Sequence, residues 1–352
     1  MRIAQLATNV ESVPPEGYGG TELVVHLLTE ELIKRGHEVT LFATGDSRTS
    51  ARLVSVTDKA LRVDDRYGRA QWQAFDIRLL LKLEEMQDQF DIVHNHLGWQ
   101  ALPVLDRLRR PSVTTNHNPI KPYAEDIYFA FKHLPYVALS QAYKRLNHGD
   151  MLNYVDVVYN GIDCDQFLCG NAQERDFLLF IGRLGRAKGT ADALEIARRL
   201  NLPIKLAGKI DDSDMSYFKE VLEPQLQTAQ ANFVGEVDFE QKRNLYSHAK
   251  AVVYPVQFEE PFGLVMAEAM ASGTPVLAYN RGAVPEVVAN GETGVVGATI
   301  DDLVSRYSEI ASIDPAHCAQ YTRERFDKRC MVDAYEAVYK RILSTSPALV
   351  RA

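Results

Sequence analysis

The chain has 352 residues, of which 46% are hydrophobic and 24% are charged, a composition typical of folded globular proteins that excludes extensive disorder. Because it is longer than one ordinary domain, two domains are expected. The formal net charge of −8 argues against nucleic acid or an anionic membrane as the main partner.

The cysteines and the N-terminus bear on the cellular compartment. The four cysteines show neither paired metal-ligand spacing nor the density of a disulfide framework. The N-terminal residues lack an apolar core followed by a cleavage site, and no stretch approaches the ~20 apolar residues of a membrane span. We therefore expect a cytoplasmic protein without a transmembrane segment.

The first half of the chain alternates short apolar runs with amphipathic stretches, which predicts parallel strands joined by helices. A strand at 2–8, a helix at 22–35 and a strand at 38–44 form the first such unit. The charged stretch 47–90 is expected to hold surface excursions and a helix at 72–87. Further strands are predicted at 91–94, 112–116, 136–140 and 155–159.

The domain boundary is predicted within NGIDCDQFLCGN, residues 160–171, where turn-forming residues interrupt the alternation. This gives an N-terminal domain at 1–165 and a C-terminal domain at 166–330. The last segment, 331–352, is predicted to be a helix long enough to cross back to the first domain. Asp163 and Asp165 form a D-x-D pattern in this linker, and we predict no metal site there.

After the boundary the alternation of strands and helices resumes. Helices are predicted at 192–200, at 215–227 and from 315 to about 343. The two halves together predict an α/β fold of two Rossmann-like, doubly wound parallel sheets, which bind ligands at the C-terminal ends of their strands. The strands of the second sheet are predicted at 177–184, 203–208, 231–237, 251–256, 275–280 and 294–299.

Two loops in the first half are candidate binding elements. In GYGGTE, Gly19 and Gly20 precede a helix whose partly positive N-terminus suits an anionic ligand. This is not a dinucleotide fingerprint, and a plain tight turn is the alternative. In VTTNHN, His117 ends a strand, where a functional and an ordinary structural role both stay open. His94 and His96 share one face of a strand but have no further ligands at metal spacing, so we interpret them either as structural residues or as residues that support a site from behind.

The sequence GRLGRAKG follows an apolar strand in the second half. Its two cations, Arg183 and Lys188, are flanked by glycines, which suits the binding of a diphosphate. A solvated basic loop is the alternative interpretation.

The segment EEPFGLVMAEAMASGTPV, residues 259–276, carries Glu260 and Glu268 on either side of a predicted helix start. The helix is expected to begin near Gly263, where unpaired N–H groups and aligned peptide dipoles favour an anion. Because side chains lean toward the N-terminus of their helix, Glu268 would point back toward hydroxyls beside that anion, such as those of a ribose. Glu260 would accept hydrogen bonds from the same ligand. The alternative is an amphipathic helix whose glutamates are merely solvated.

Together these motifs resemble one known family over nearly the whole chain, the retaining nucleotide-sugar glycosyltransferases of family four, which have the GT-B fold. The resemblance rests on YGGTE, DIVHNH, TTNH, NGID, GRLGRAKG, EEPFGLVMAEAM, ASGTPV and GAVPE. It implies two Rossmann-like domains facing across a cleft, the first on the acceptor side and the second on the donor side.

The resemblance also implies roles for the candidate residues. Arg183 and Lys188 would neutralise the diphosphate, Glu268 would hold the ribose, and Glu260 would hold the donor sugar. His117 would face the transferred sugar, which makes Arg183, Lys188, His117 and Glu260 the implied catalytic set. Further donor contacts would come from the backbone of Phe262, Gly263 and Leu264, from Gly19 and Gly20 on domain closure, and from Gly208 and Val234 beside the base.

The implied activity is transfer of a hexose from a nucleoside-diphosphate sugar, by default a UDP-hexose, to a hydroxyl of a small-molecule, glycan or lipid-linked acceptor. The anomeric configuration would be retained by attack from the side of the leaving group, without a metal, another cofactor or a protein nucleophile. The acceptor is expected near Gly17, Tyr18 and the stretch 47–90. An epimerase or hydrolase on the same fold, and a regulator that binds a sugar nucleotide without catalysis, are the alternatives.

Overall fold

The structure is a computed structural model that describes residues 1–17, 19–170, 174–228 and 230–345. Tyr18, which we expected near the acceptor, and the last seven residues of the predicted segment 331–352 lie outside the described residues.

Within the described ranges, thirteen strands form two parallel sheets, of seven and six strands. The first sheet has the strand order β3-β2-β1-β4-β5-β6-β7 and the second β10-β9-β8-β11-β12-β13. The prediction of an α/β fold with two Rossmann-like sheets is therefore confirmed. The strands are β1 (Arg2–Leu6), β2 (Glu38–Phe42), β3 (Arg52–Val54), β4 (Ile92–Asn95), β5 (Ser112–Thr115), β6 (Tyr136–Ala138), β7 (Tyr154–Val157), β8 (Phe177–Ile181), β9 (Ile204–Ala207), β10 (Ala231–Gly235), β11 (Ala249–Tyr254), β12 (Val276–Tyr279) and β13 (Gly294–Gly297).

Helices connect most of these parallel strands, whereas β2 and β3 are joined by the helix-free segment 43–51. One π-helical segment, Phe218–Leu222, interrupts the helix predicted at 215–227. The α-helices are α1 (Gly20–Lys34), α2 (Trp72–Met86), α3 (Leu102–Leu105), α4 (Glu125–Ala130), α5 (Gln141–Leu146), α6 (Thr190–Leu200), α7 (Met215–Tyr217), α8 (Glu223–Thr228), α9 (Phe239–His248), α10 (Leu264–Ala271), α11 (Val284–Val287), α12 (Ile300–Ser305), α13 (Pro315–Phe326) and α14 (Lys328–Thr345).

The chain divides into two compact units. The second unit is Ile162–Asp327, and the first consists of Met1–Gly161 together with the C-terminal segment that begins at Lys328. The chain therefore divides after residues 161 and 327. From the sequence we predicted divisions after residues 165 and 330. Helix α14 belongs to the first unit and packs against α1, and Arg35 binds Asp333 across that contact at 2.6 Å.

The central strands of both sheets are buried apolar runs. Every residue of β4 and of β8 is buried, which is the pattern of parallel strands covered on both faces. No helix in the described part of the chain has the length and apolarity needed to cross a membrane.

One strand was missed by the sequence analysis. We predicted only surface excursions and a helix for 47–90, and the structure places β3 there, at the edge of the first sheet. Its three residues are exposed or half-buried, so it lacks the apolar run that identifies a buried strand.

Candidate functional site

Helix α10 begins at the left-handed residue Gly263, which has a φ of 85°. No side chain of the described chain caps the helix start, so N–H groups of its first turn are available to a ligand. The left-handed backbone therefore favours glycine at this position, and a Cβ there would also have to displace the flexible end of the Met266 side chain, whose Cε would lie 2.5 Å away. Phe262 has its side chain in the core, with its ring centroid 5.5 Å from that of Phe326, so only its backbone can contribute to a site.

Lys188 and Glu260 lie together in the second unit. Nζ of Lys188 is 3.3 Å from Oε2 of Glu260, and the hydroxyl of Tyr254 donates to the same oxygen at 2.5 Å. Nζ of Lys188 also lies 4.7 Å from the ring centroid of Phe258, a distance typical of a cation–π contact. Oε1 of Glu260 makes no hydrogen bond within the described part of the chain. The lysine of the basic loop and the first glutamate of the pair thus belong to one cluster.

The neighbouring glutamate, Glu259, has a different role. Its Oε2 accepts a hydrogen bond from the backbone N–H of Gly282 at 2.6 Å, while Glu260 is buried with only 7% of its surface exposed. Gly282 has a φ of 55°, and a Cβ there would lie 2.3 Å from backbone atoms of Glu260. The GAVPE loop therefore packs directly on the backbone of Glu260 and helps to fix it.

Glu268 is held by two residues of α9 that sequence reasoning missed. Its Oε1 lies 2.7 Å from Nζ of Lys242, and its Oε2 accepts the hydroxyl proton of Tyr246 at 2.8 Å. Burial, together with the nearby Glu268, raises the pKa of Tyr246 well above its usual value, so the phenol stays a donor. Lys242 and Tyr246 are four residues apart and share one helix face, but this spacing alone does not indicate which carboxylate they contact.

Arg183 is paired with two aspartates that the sequence analysis also missed. Nη1 of Arg183 lies 2.8 Å from Asp211 and its Nε lies 3.5 Å from Asp214. The hydrogen bond from Arg183 is the main cause that lowers the pKa of Asp211. Gly185 is also close, since a Cβ there would lie 2.6 Å from the carboxylate of Asp214.

Gly208 directly follows β9, at the C-terminal end of that strand. It has a φ of 141°, and a Cβ there would lie 1.9 Å from the carbonyl oxygen of Gly182. Its N–H donates to the carbonyl of Gly235 at 2.8 Å, so the ends of β8, β9 and β10 lie side by side. Val234, in β10, is 37% exposed, and Leu264 is half-buried.

The remaining candidates lie in the first unit. Nε2 of His117 is 2.9 Å from Nδ1 of His96, and burial lowers the pKa of His117 to about 4. Gly20 is exposed as the first residue of α1. Gly19 has an extended φ of 175°, and a Cβ there would lie 2.7 Å from Cβ of Pro15. Packing against Pro15 is therefore enough to explain why residue 19 is a glycine, without any contact to a ligand.

Comparison with known families decides the class of protein. A model described as "Glycosyltransferase Family 4" matches residues 18–166, and one described as "Glycosyl transferases group 1" matches residues 168–325. The chain is a GT-B glycosyltransferase of the family-four type. The resemblance found in the sequence motifs is therefore confirmed, and so is the transferase class.

Characterised relatives of this glycosyltransferase match over most of its length. The D-inositol 3-phosphate glycosyltransferase of Mycolicibacterium smegmatis is 26% identical, over 97% of this chain and 92% of the relative. The alpha-maltose-1-phosphate synthase of Mycobacterium tuberculosis is 27% identical, over 91% of this chain and 92% of the relative.

Solved structures share the fold of the glycosyltransferase at lower sequence identity. Sucrose-phosphate synthase from Thermosynechococcus elongatus has a TM-score of 0.80 at 18% identity, over 98% of this chain and 100% of that one. HepE of Anabaena, in complex with UDP and glucose, has a TM-score of 0.73 at 19% identity, over 97% and 99% of the two chains. Across the described ranges, no group of three or more His, Cys, Asp or Glu side chains is arranged to hold a metal ion.

Proposed function

We propose that this glycosyltransferase moves a hexose from a UDP-hexose to an acceptor hydroxyl, with retention of the anomeric configuration and without a metal ion. The observation that carries the proposal is the Lys188–Glu260 pair, 3.3 Å apart, in which Glu260 stands just before Gly263 at the uncapped start of α10. It combines a cation, a carboxylate and unpaired N–H groups, which suit the diphosphate and the sugar of one donor. The complex of HepE with UDP and glucose supports a UDP-linked donor.

The cations and the helix start would act on the leaving group. As the bond between the sugar and the diphosphate breaks, negative charge grows on the diphosphate and positive charge grows on the sugar. Lys188, Arg183 and the N–H groups of α10 would therefore bind the transition state more tightly than the ground state. A metal ion is not needed for this compensation, because the protein supplies the positive charge.

The carboxylates would hold the two ends of the donor. Oε2 of Glu260 accepts from Lys188 and Tyr254, which leaves Oε1 for hydroxyls of the sugar. Both oxygens of Glu268 have a donor from α9, and a carboxylate can accept about four hydrogen bonds. Two lone pairs thus remain for the 2′- and 3′-hydroxyls of a ribose.

Other parts of the donor site are proposed from the same fold. The backbone at Gly208 and the exposed side chain of Val234 would line the base, and the backbone of Phe262, Gly263 and Leu264 would contact the phosphate. For Gly19 and Gly20 we propose approach to the phosphates, as expected from sequence.

Retention follows if the acceptor attacks from the side of the departing diphosphate. In this step the bond from the anomeric carbon to the diphosphate oxygen breaks, and a bond to the acceptor oxygen forms. The acceptor proton passes to an oxygen of the departing diphosphate, so no protein nucleophile is required. His117 would accept a hydrogen bond from the transferred sugar.

The donor class is tested by nucleotide binding followed by turnover. We expect UDP to raise the unfolding temperature more than ADP, GDP or CDP at equal concentration, because a ligand at 100 times its dissociation constant adds about 2.7 kcal/mol of stability. UDP release from UDP-hexoses with a panel of hydroxyl acceptors should persist in excess EDTA. Preference for another base would contradict the UDP assignment, and loss of activity in EDTA that a divalent metal restores would contradict metal independence.

A further inference from the structure

A buried chain of hydrogen bonds leads from His117 into the first unit. Nε2 of His117 lies 2.9 Å from Nδ1 of His96, and Nε2 of His96 lies 2.8 Å from Oε1 of Gln5. The amide nitrogen of Gln5 then donates to the hydroxyl of Tyr339, in α14, at 3.2 Å. Gln5 is fully buried and His96 is 3% exposed, so water does not compete for these groups.

The chain continues beyond Tyr339. The hydroxyl of Tyr339 lies 2.7 Å from Nδ1 of His94, and Nε2 of His94 lies 2.8 Å from the hydroxyl of Thr115. Tyr335, also in α14, reaches the same Thr115 hydroxyl at 3.0 Å. Strands β1, β4 and β5 and the last helix are thus joined through polar side chains in the interior.

The amide of Gln5 sets the direction of donation along this chain. Its oxygen faces His96 and can only accept, so Nε2 of His96 carries the proton. A neutral His96 then has a lone pair on Nδ1, and Nε2–H of His117 must donate to it. If the Gln5 amide were flipped so that its nitrogen faced His96, each donor in this chain would become an acceptor. His117 would then carry its proton on Nδ1.

We propose that Gln5 and His96 are positioning residues that hold His117 as its neutral Nε2–H tautomer, with Nδ1 left as the hydrogen-bond acceptor for a hydroxyl of the transferred sugar. The sugar contact rests on the proposed hexose transfer. The tautomer follows from contacts within the first unit alone.

The surroundings of the chain support a neutral His117. Burial lowers the pKa of His117 to about 4 and that of His96 well below its usual value. The chain from Gln5 to Tyr335 contains no carboxylate, and its titratable members besides His96 and His117 are His94, Tyr335 and Tyr339. In contrast to a histidine held by an aspartate, His117 is held by a neutral relay that favours one tautomer without adding charge.

The tautomer can be read directly in the full-length protein labelled with 15N-histidine. Long-range 1H–15N spectra at pH 7 should show a protonated Nε2 and an unprotonated Nδ1 for His117, with its signals assigned by their loss in His117→Gln. In Gln5→Leu, which removes the oxygen that orients His96, both nitrogens of His117 should move toward intermediate shifts. A protonated Nδ1 in the wild type, or an imidazolium, would overturn the inference.

Kinetics test the consequence for transfer. Gln5→Leu is expected to lower kcat about 10-fold with the donor KM changed less than 2-fold, because His117 then presents its acceptor nitrogen only part of the time. Tyr339→Phe, which removes the hydroxyl that both Gln5 and His94 contact, should also lower kcat and serves if Gln5→Leu does not fold. Tyr335→Phe is the matched control, since it removes a buried hydroxyl at the far end of the chain and should leave the signals of His117 unchanged.

The two proposals fail in different ways. A wild-type protein that transfers no hexose from any UDP-sugar would contradict the proposed function, whatever the tautomer. A wild-type protein that transfers hexose, together with a folded Gln5→Leu of unchanged kcat, would overturn the positioning role alone.

Discussion

Lys188 illustrates how one side chain can serve both the resting site and the reaction. In the structure its charge is compensated by Glu260 at 3.3 Å and by the ring face of Phe258. A donor diphosphate would bring a second, larger negative charge to the same ammonium group, and that charge increases in the transition state. The lysine is therefore already oriented before the donor binds.

We predict that Lys188→Ala lowers kcat by about 100-fold, the scale of removing one electrostatic stabiliser. The exposed Lys219 in the same unit provides the control, since Lys219→Ala should leave turnover unchanged. Steady-state kinetics at saturating donor measure the effect, and thermal unfolding checks that each variant is folded. Turnover of Lys188→Ala close to the wild-type value would exclude the proposed role.

Glu268 should act mainly in binding. Glu268→Ala removes the acceptor proposed for the ribose hydroxyls and leaves Lys242 without its carboxylate, so we expect UDP affinity to fall at least 10-fold, or about 1.4 kcal/mol. Calorimetry with UDP measures the loss. Glu240→Ala, at an exposed position of α9, is the control. Unchanged affinity in Glu268→Ala would contradict the ribose assignment.

Helix α10 is the element that positions these residues. Gly263 starts it in the left-handed region, and Arg175 donates to the carbonyl of Gly273 at 2.7 Å just after its last residue. A cation at the C-terminal end of a helix interacts favourably with the helix dipole. The helix is therefore capped by a side chain at its C-terminal end and left open at its N-terminal end, where the anion is proposed to bind.

Gly263→Ala tests this element against a matched glycine. Gly291 has nearly the same backbone, with a φ of 84°, but a Cβ there meets nothing within 4 Å, whereas at Gly263 it meets Met266 at 2.5 Å. Gly291→Ala should cost only the backbone strain of about 1–2 kcal/mol. Gly263→Ala carries the same backbone strain and in addition displaces the end of the Met266 side chain, and, unlike Gly291→Ala, it should weaken UDP binding because it disturbs the start of α10. Denaturant unfolding measures the stability of each variant and calorimetry measures its UDP affinity. Equal UDP affinity of Gly263→Ala and Gly291→Ala would contradict the role of Gly263.

The elements also show what a sequence can reveal. Apolar runs identify β8 and β11, and Gly263 and Gly273 mark the ends of α10, because these signals are local. The partners of the charged residues are not local, since Asp211 lies 28 residues from Arg183 and Lys242 lies 26 residues from Glu268. Such pairs form only when the sheet brings distant loops together, so they cannot be predicted from sequence periodicity.

The same limit applies at the scale of the whole chain. The histidine motifs DIVHNH and TTNH are visible in the sequence, and His96 contacts His117 directly. The buried chain of hydrogen bonds continues from His96 through Gln5 and Tyr339, which are 334 residues apart. The place of α14 in the first unit could be expected only from its length. Its contacts with His94 and Gln5 required the structure.

Buried histidines make the stability of the first unit depend on pH. Burial lowers the folded-state pKa of His94 and His96 well below 6.5, and lowers that of His117 to about 4. Well above pH 6.5 these histidines are neutral in both the folded and the unfolded chain. Below it the unfolded chain binds more protons, so the free energy of unfolding falls as pH drops from about 6.5 toward 4.

His94→Gln should weaken this dependence, so that the free energy of unfolding falls less steeply below pH 6.5 than in the wild type, because one fewer histidine takes up a proton only on unfolding. Both tryptophans, Trp72 and Trp99, lie in the first unit, so urea unfolding followed by tryptophan fluorescence reports on that unit. A pH slope in His94→Gln equal to that of the wild type would show that His94 is not held neutral by the fold.

The central claim, retaining transfer from a UDP-hexose, is tested most directly by the configuration of the product. The wild-type protein would be incubated with an α-linked UDP-hexose and an acceptor that supports UDP release, and the anomeric proton of the product would be followed by 1H NMR from the first turnovers. An α-linked product is predicted. A β-linked product would contradict retention, and release of free hexose or of an epimerised sugar nucleotide without a new glycosidic bond would contradict transfer itself.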